Sequence, residues 1–211
     1  NQGDDMLAFK QAKKELKQRL VSLNAILNRR MHATTNLDYE EWLTSHQPFH
    51  WLAEFYQIIK GNGGFDVIIG NPPYVVYTDT NCGYRISDNY KTRDCSNLYA
   101  FCIERSKQIL SLLGRFGMIV PNSSISANKM LPVQKIIINR QYCWISNYSW
   151  RPSKLFEGAD MLLAIIINAP SNSLTSFVKS TIYQKWYNEF RNVLFQTLSY
   201  TDITGDVIEG S

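Results

Sequence analysis

The sequence predicts an α/β protein in which a partly parallel sheet follows an N-terminal helical segment. Three observations support this fold class. The first part of the chain has the apolar spacing of an amphipathic helix, short β-branched runs follow it, and further helical stretches separate those runs. The 211 residues, 45% of them hydrophobic, suffice for one domain with a buried core.

The first helix is predicted over residues 6–30. Phe9, Leu16 and Leu23 recur at heptad spacing and mark an apolar stripe, compatible with one arm of a helical hairpin. The other face carries Lys10, Lys13, Lys14 and Lys17. A solvated basic face on a packed helix is favoured over a dedicated DNA-binding helix, because charged helix faces are usually only solvated.

Residues 38–60 are predicted to contain a second helical stretch, which together with the first forms a helical segment of residues 1–60. Its aromatic cluster comprises Trp42, Phe49, Trp51, Phe55 and Tyr56. The run Gly61-Asn62-Gly63-Gly64 then breaks the helix.

The sheet is predicted within residues 61–170. Four runs have the composition of strands, residues 65–70, 116–120, 144–150 and 161–168. The first is a continuous apolar run between glycines, as expected of a strand buried on both faces of a parallel sheet.

Helices are predicted between the strands, at residues 98–113 and 127–140. The first has an apolar face of Leu98, Phe101, Cys102, Ile109, Leu112 and Leu113. Ser96 or Asn97 is placed to cap its start and Gly114 to end it. Residues 75–96 have no periodicity and are interpreted as a long functional loop, and the tail of residues 171–211 as helical around 182–198.

Composition narrows the classes of function only slightly. The net charge of +4 is compatible with a nucleic-acid partner but is weak evidence for one. Cys82, Cys95, Cys102 and Cys143 lack the spacing of a zinc site, so they are interpreted as reduced thiols of a cytoplasmic protein. No apolar run approaches the roughly 20 residues of a membrane helix, so no membrane partner is predicted.

The segment with a chemical signature is Asn71-Pro72-Pro73-Tyr74, directly after the first strand. In open parallel sheets, ligands bind at the carboxyl ends of the strands. Two prolines fix φ and remove two backbone donors, so the turn presents carbonyl oxygens without competing N–H groups. The Asn71 amide oxygen and the Pro72 carbonyl could accept from one amino group while Tyr74 stacks on the ring that bears it. A turn that only ends the strand is less favoured, because this composition after a buried strand is rare by chance.

Residues 65–74, Phe-Asp-Val-Ile-Ile-Gly-Asn-Pro-Pro-Tyr, resemble the catalytic motif of amino-group DNA methyltransferases. The likeness is strongest to the N(6)-adenine enzymes of type II, and especially type IIG, restriction–modification systems. Other segments extend it over about residues 46–170. They are Gln47–Phe55, Asn97–Phe101 with Glu104-Arg105, Gly114–Ser123, and Phe156–Gly158 with Met161–Asn168.

The resemblance implies a partial, C-terminal half of a Rossmann-like class I methyltransferase sheet. It further implies methyl transfer from S-adenosylmethionine to the amino nitrogen of an adenine flipped out of double-stranded DNA. Asn71 and Pro72 would accept the two amino hydrogens, Pro73 would shape the turn and Tyr74 would stack on the base. Phe101 would pack against the adenine ring of the cofactor, beside Asn71, although plain core packing explains Phe101 equally well.

The glycine-rich cofactor loop of such enzymes, which follows a strand, is not visible in the sequence. The glycines at 61–64 and at 114–117 precede predicted strands instead. We therefore expect the first half of the sheet, the target-recognition domain and any nuclease to lie in the remainder of a larger polypeptide. Glu15-Leu16-Lys17 has the Glu-x-Lys pattern of a nuclease core, but it lies in a predicted helix with no preceding Asp partner. It is therefore interpreted as surface charge of that helix. The chain alone is expected to be inactive and to bind S-adenosylmethionine weakly or not at all.

Two alternatives stay open. Asn-Pro-Pro-Tyr also occurs in methyltransferases that act on protein glutamine or on RNA guanine, but the long loop at 75–96 and the Asn-Leu-Tyr-x-Phe segment favour the DNA enzymes. The other alternative is a non-catalytic DNA-binding or assembly fragment that works through the helices of residues 6–60.

Overall fold

The computed structural model describes residues 2–80, 82, 84–171 and 175–208. The described residues form two units. The first contains the residues up to Gly61 and those within Asp79–Arg85, and the second contains Asn62–Thr78 and the residues from Ile86 onward. The division of the chain at residues 60 and 170 stays a prediction.

The first unit is helical, as predicted, and its longest element is α1 (Gln2–His32). It is followed by α2 (Tyr39–His46), α3 (Trp51–Glu54) and a π-helical turn (Gln57–Gly61). Both short helices contact α1. Asn24 Nδ2 in α1 donates to Glu54 Oε1 over 2.7 Å, and the His50 ring is hydrogen-bonded to Asn28 at the same distance.

Residues 38–60 contain helices, as predicted, but not one continuous helix, because α2 ends at His46 and is capped by Gln47. This residue adopts a left-handed conformation with φ 43°, and its backbone N–H closes the last turn onto the Leu43 carbonyl. Pro48 follows and cannot continue the ladder of helical hydrogen bonds. The predicted aromatic cluster is divided accordingly. Trp42 packs with His32, Tyr39 and His46, whereas Phe49, Trp51 and Phe55 pack with one another.

The apolar stripe predicted on α1 is only partly covered. Phe9 and Leu16 are each 68% exposed, whereas Leu20 and Leu27 are half-buried. The four lysines of the opposite face are exposed, as is the Glu15–Lys17 pattern, in agreement with a solvated surface.

The second unit is an α/β sheet of mixed direction, which confirms the predicted fold class. Its strands are β1 (Phe65–Gly70), β2 (Leu110–Pro121), β3 (Gln141–Tyr148), β4 (Leu163–Pro170), β5 (Phe177–Gln184) and β6 (Thr201–Asp202). Its helices are α4 (Leu98–Ile109), α5 (Ser123–Ser126), α6 (Leu131–Ile138) and α7 (Thr204–Ile208). The four strands and two helices predicted within residues 61–170 therefore exist, with ends shifted by a few residues.

The strands lie side by side in the order β1-β2-β4-β3-β5-β6. β1 is parallel to β2, β4 is antiparallel to both β2 and β3, and β5 is parallel to β3. As a result, β1, β2, β3 and β5 all end at one edge of the sheet, which we call the carboxyl edge.

The junction of α4 and β2 differs from the prediction. The helix ends at Ile109, so Leu112 and Leu113 lie in β2 and are 90% and 71% exposed rather than on a buried helix face. Gly114 does not end the helix either. A Cβ there would lie 2.8 Å from the Phe65 carbonyl oxygen, because β2 already pairs with β1 from Leu110 onward. Strand pairing overrides the helical periodicity at this point.

β1 is not buried on both faces, contrary to the prediction. Val67 is 57% and Ile69 is 78% exposed, whereas Ile68 points to the opposite face and packs against the hydrophobic core, so only one face of β1 is covered by described residues. The helical interpretation of residues 182–198 is only partly correct. Residues up to Gln184 belong to β5, and Asn188–Gln196 form a 3-10 helix. Residues 172–174 and 209–211 of the predicted tail lie outside the described part of the chain.

Two hydrophobic clusters hold the second unit together. The larger packs α4 and α6 on the sheet around Ile103, Phe116, Val133 and Ile166. The other contains Tyr148, Leu163, Trp186 and Leu194. All four cysteines are unpaired, and no described helix is long and apolar enough to cross a membrane.

A buried charge lies beside the larger cluster. The Lys107 ammonium lies 4.7 Å from the centre of the Phe116 ring, and its nitrogen is buried without a hydrogen-bond partner among the described residues. Burial lowers the pKa of Lys107 to about 8, although the nearby Cys143 thiol acts in the opposite direction. Burial raises the pKa of Cys143 to about 11.

We predict that Lys107→Met stabilises the protein at pH 7 and that this gain shrinks as the pH rises. Between about pH 8 and the ordinary lysine pKa of about 10.4, the unfolded chain binds more protons at residue 107 than the folded chain does. Wild-type stability therefore rises with pH in this window, whereas the variant lacks the rise. Urea denaturation should give a gain of about 1–2 kcal/mol at pH 7 that falls by roughly 1 kcal/mol at pH 9. A gain in stability that does not change with pH would contradict the lowered pKa of Lys107.

Candidate active site

The candidate site lies at the carboxyl edge, where Asn71-Pro72-Pro73-Tyr74 follows β1 directly. Asn71 and Pro73 are exposed, Pro72 is buried and Tyr74 is half-buried. The last residue of β1, Gly70, pairs with Met118 of β2, so the tetrapeptide begins beside the second half of β2. The strand positions the turn, and the two prolines fix its backbone.

Tyr74 is held by the neighbouring strand. Its hydroxyl donates a hydrogen bond of 3.0 Å to the Ile119 carbonyl of β2. Its ring packs against both hydrophobic clusters of the second unit. Burial raises the pKa of Tyr74 to about 12, so the hydroxyl remains a proton donor at neutral pH. The orientation of the ring is therefore set before any ligand binds.

The loop after the tetrapeptide returns to the start of α4, in agreement with the long loop predicted over residues 75–96. The Leu98 N–H donates to the Val75 carbonyl over 3.0 Å, and the Tyr77 N–H donates to the Ser96 carbonyl over 2.9 Å. Val76 forms a β-bridge with Asn97 between these bonds. Asn97 stands at the predicted cap position of α4, but its side chain donates to the Cys95 carbonyl and does not cap the helix.

Phe101 points into the space between α4 and this loop and is only 4% exposed. The Tyr77 and Tyr90 rings meet it edge-on, with ring centres 5.3 Å and 5.7 Å away. Phe101 is thus packed against two tyrosines, and its contact with a cofactor stays a prediction.

A buried polar network lies beneath the carboxyl edge, and the sequence did not predict it. Asn122, directly after β2, donates to Asn147 Oδ1 over 2.8 Å and accepts from the Tyr183 hydroxyl over 2.7 Å. Asn147 Nδ2 donates in turn to the Thr181 carbonyl over 2.7 Å. The network ties the ends of β2 and β3 to β5. The β-branched and aromatic residues of 177–184 are the sequence signal for this strand, and the interpretation of the tail as helical missed it.

The glycines considered as a cofactor loop do not follow strands. Gly63 and Gly64 have φ values of 81° and 130° and precede β1, and Gly114 and Gly117 lie inside β2. Across the described residues, no group of three or more His, Cys, Asp or Glu side chains could hold a metal ion.

The chain matches the family model of the Eco57I restriction-modification methylase over residues 6–156. A putative type II restriction enzyme and methyltransferase of Methanocaldococcus jannaschii is 31% identical over 173 residues, which are 76% of this chain and 13% of the relative. The type II restriction enzyme and methyltransferase RM.Eco57I of Escherichia coli is 27% identical over 153 residues, which are 69% of this chain and 15% of the relative. The chain therefore spans only a small part of the length of these curated relatives.

Two solved structures share the fold. A nuclease-deletion mutant of the type ISP restriction-modification enzyme LlaGI, in complex with a DNA substrate mimic, superposes with a TM-score of 0.54 at 14% identity, covering 72% of this chain and 18% of its own. The DrdV–DNA complex gives a TM-score of 0.51 at 13% identity, and the match covers 65% of this chain and 17% of the DrdV chain. At these identities the likeness shows the fold alone.

We predict that Tyr74→Phe destabilises the protein by about 1 kcal/mol, because the ring stays packed but the hydrogen bond to Ile119 is lost. Tyr74→Ala should cost roughly 3 kcal/mol, because it also removes the ring from both hydrophobic clusters. Urea denaturation of the two variants measures the difference. Tyr56→Phe is the matched control, since Tyr56 is 64% exposed. Equal losses in Tyr74→Phe and Tyr74→Ala would show that ring packing contributes nothing.

Proposed function

The chain belongs to the Eco57I restriction-modification methylase family, and from this premise we propose that the protein methylates adenine in DNA. The methyl group passes from S-adenosylmethionine to the exocyclic amino nitrogen of an adenine flipped out of double-stranded DNA, since that nitrogen cannot be reached inside the stack. The observation that carries the proposal is the placement of Asn71-Pro72-Pro73-Tyr74 at the carboxyl end of β1.

Asn71 and Pro72 act as the acceptors for the amino group. The exposed Asn71 side chain supplies an amide oxygen, and Pro72 supplies a carbonyl oxygen in a turn where two N–H donors are missing. Two hydrogen bonds from the amino group to these oxygens fix its orientation. They localise the nitrogen lone pair and direct it toward the incoming methyl group.

Tyr74 supplies the stacking surface for the flipped base, and Pro73 shapes the turn between the acceptors and the ring. The hydrogen bond from the Tyr74 hydroxyl to Ile119 supports this role, because it fixes the ring relative to β2 and therefore relative to Asn71. A ring that is already oriented loses little freedom when a base stacks on it.

Orientation, not proton abstraction, carries the catalysis. The one titratable side chain of the tetrapeptide is Tyr74, and its pKa of about 12 keeps it protonated at neutral pH. A strong base is not needed, since the amine attacks through its lone pair and loses its proton afterwards.

The methyl donor in this proposal is S-adenosylmethionine, which supplies an activated methyl group when bound. Phe101 and Asn71 are the residues of this chain proposed to lie beside it. The aromatic surroundings of Phe101 fit a purine ring. A contact there requires that one face of the Phe101 ring becomes accessible between Tyr77 and Tyr90.

The whole protein would need parts that this chain does not supply, since the chain spans 13% and 15% of its curated relatives. We propose that a first half of the sheet and a target-recognition domain lie elsewhere in the protein. We place the reaction in the cytoplasm, where DNA and the methyl donor meet.

We predict that Asn71→Ala in the full-length protein lowers the rate of DNA methylation by at least about 100-fold, because one of two hydrogen bonds that orient the amino group is lost. Asn62→Ala is the matched control, since Asn62 is exposed and lies before β1. Transfer of labelled methyl groups to DNA at saturating DNA concentration measures the effect. Unchanged methylation in Asn71→Ala would instead favour a non-catalytic binding or assembly role. Label that enters RNA or protein glutamine but not DNA would favour the related amino methyltransferases.

A further inference from the structure

Glu104 is a buried carboxylate of α4 that faces the loop after the tetrapeptide. It is 4% exposed, and its oxygens accept four hydrogen bonds. Oε2 accepts from the Thr92 N–H over 2.9 Å and from the Thr92 hydroxyl over 2.8 Å. Oε1 accepts from the Lys91 N–H over 3.1 Å and from Gln108 Nε2 over 3.3 Å. A buried carboxylate is costly unless its oxygens are hydrogen-bonded, and here three of the four donors belong to the loop.

The anchored loop residues connect back to the tetrapeptide through the backbone. Thr92 is fully buried, and its carbonyl accepts from the Cys95 N–H over 3.0 Å, which closes the short 3-10 turn at Arg93–Cys95. The next residue, Ser96, accepts from the Tyr77 N–H. Tyr77 stands three positions after Tyr74, so a series of hydrogen bonds and short backbone links leads from Glu104 to the proposed stacking residue.

Side chains reinforce the same connection. Tyr90, two positions before Thr92, meets the Phe101 ring edge-on, and Phe101 lies one helical turn before Glu104 on α4. The Tyr77 ring also meets Phe101 edge-on, and its hydroxyl accepts from the Ile86 N–H over 2.7 Å. Both ends of the loop are therefore held on one face of α4.

We propose that Glu104 is a positioning residue for methyl transfer. It holds residues 86–97 on α4, and through them it fixes where the chain leaves Tyr74. The inference rests on the proposed function, in which Asn71, Pro72 and Tyr74 orient one amino group. A displacement of about 1 Å in such a constellation lowers the rate by roughly two orders of magnitude. Glu104 does not touch the reacting groups and acts only through the loop.

The chemistry of the site explains why a carboxylate is needed at this position. The Lys91 N–H, the Thr92 N–H and the Thr92 hydroxyl all donate hydrogen bonds to the Glu104 carboxylate. A glutamine has the same shape but offers one acceptor oxygen and turns an NH₂ group toward a donor. An apolar side chain would leave the donors of residues 91 and 92 unsatisfied.

The test measures single-turnover methylation by the full-length protein at saturating DNA. Glu104→Gln is expected to slow methyl transfer about tenfold, with the dissociation constant for DNA changed by less than about threefold. Thr92→Val, which removes only the hydroxyl donor, is expected to slow it about threefold. Gln108→Ala is the matched control, because it removes the one donor to Glu104 that does not belong to the loop, and its rate should stay within about twofold of wild type.

Hydrogen exchange of the backbone amides of residues 86–97 gives a second readout. Exchange should accelerate in Glu104→Gln but not in Gln108→Ala. A purely structural role would lower the melting temperature of Glu104→Gln and leave the rate per folded molecule unchanged, and that result would overturn the proposal. If Glu104→Gln does not fold, the methylation rate of Thr92→Val tests the proposal by itself. An unchanged rate in Thr92→Val would then overturn the proposal.

These outcomes are separable from a failure of the proposed function. If Asn71→Ala methylates DNA as fast as wild type does, the proposed function fails, whatever Glu104 does. Unchanged amide exchange at residues 86–97 in Glu104→Gln would overturn the positioning role even when Asn71→Ala is inactive.

Discussion

The parallel pairing of β1 with β2 is the interaction on which the candidate site depends. It places Gly70 beside Met118, so the chain leaves β1 next to Ile119, whose carbonyl then accepts from the Tyr74 hydroxyl. Parallel neighbours also require a crossover, and that crossover is the loop with α4. The pairing of β1 with β2 therefore determines where the tetrapeptide lies. It also places α4, which holds the loop after the tetrapeptide, on the same sheet.

Buried polar groups stabilise the carboxyl edge from two sides. Glu104 holds the loop on α4, and Asn122 joins the ends of β2 and β3 to Tyr183 of β5. In a low-dielectric interior, such groups are favourable only when their partners are correctly placed, so they select one arrangement of the edge. Lys107 is the contrasting case, because its ammonium nitrogen is buried against Phe116 without a hydrogen-bond partner in the described chain.

Local signals predicted the parts of the fold that depend on nearby residues. The run at 65–70, the turn at 71–74 and the start of α4 were all recognised from their own composition. The errors arise where distant residues decide. Leu112 and Leu113 fit a helix until β1 pairs with the chain at Leu110, and residues 177–184 become a strand because β3 offers a partner. The partners of Glu104 were equally hidden, since the loop had no periodicity from which its path could be predicted.

The identity of the methylated nucleoside tests the central claim most directly. The full-length protein would be incubated with DNA and S-adenosylmethionine, and the DNA would be digested to nucleosides and analysed by mass spectrometry. The proposed adenine methylation predicts N(6)-methyladenine. Methylation confined to C5 of cytosine would contradict the account, because that carbon bears no amino hydrogens for Asn71 and Pro72 to accept.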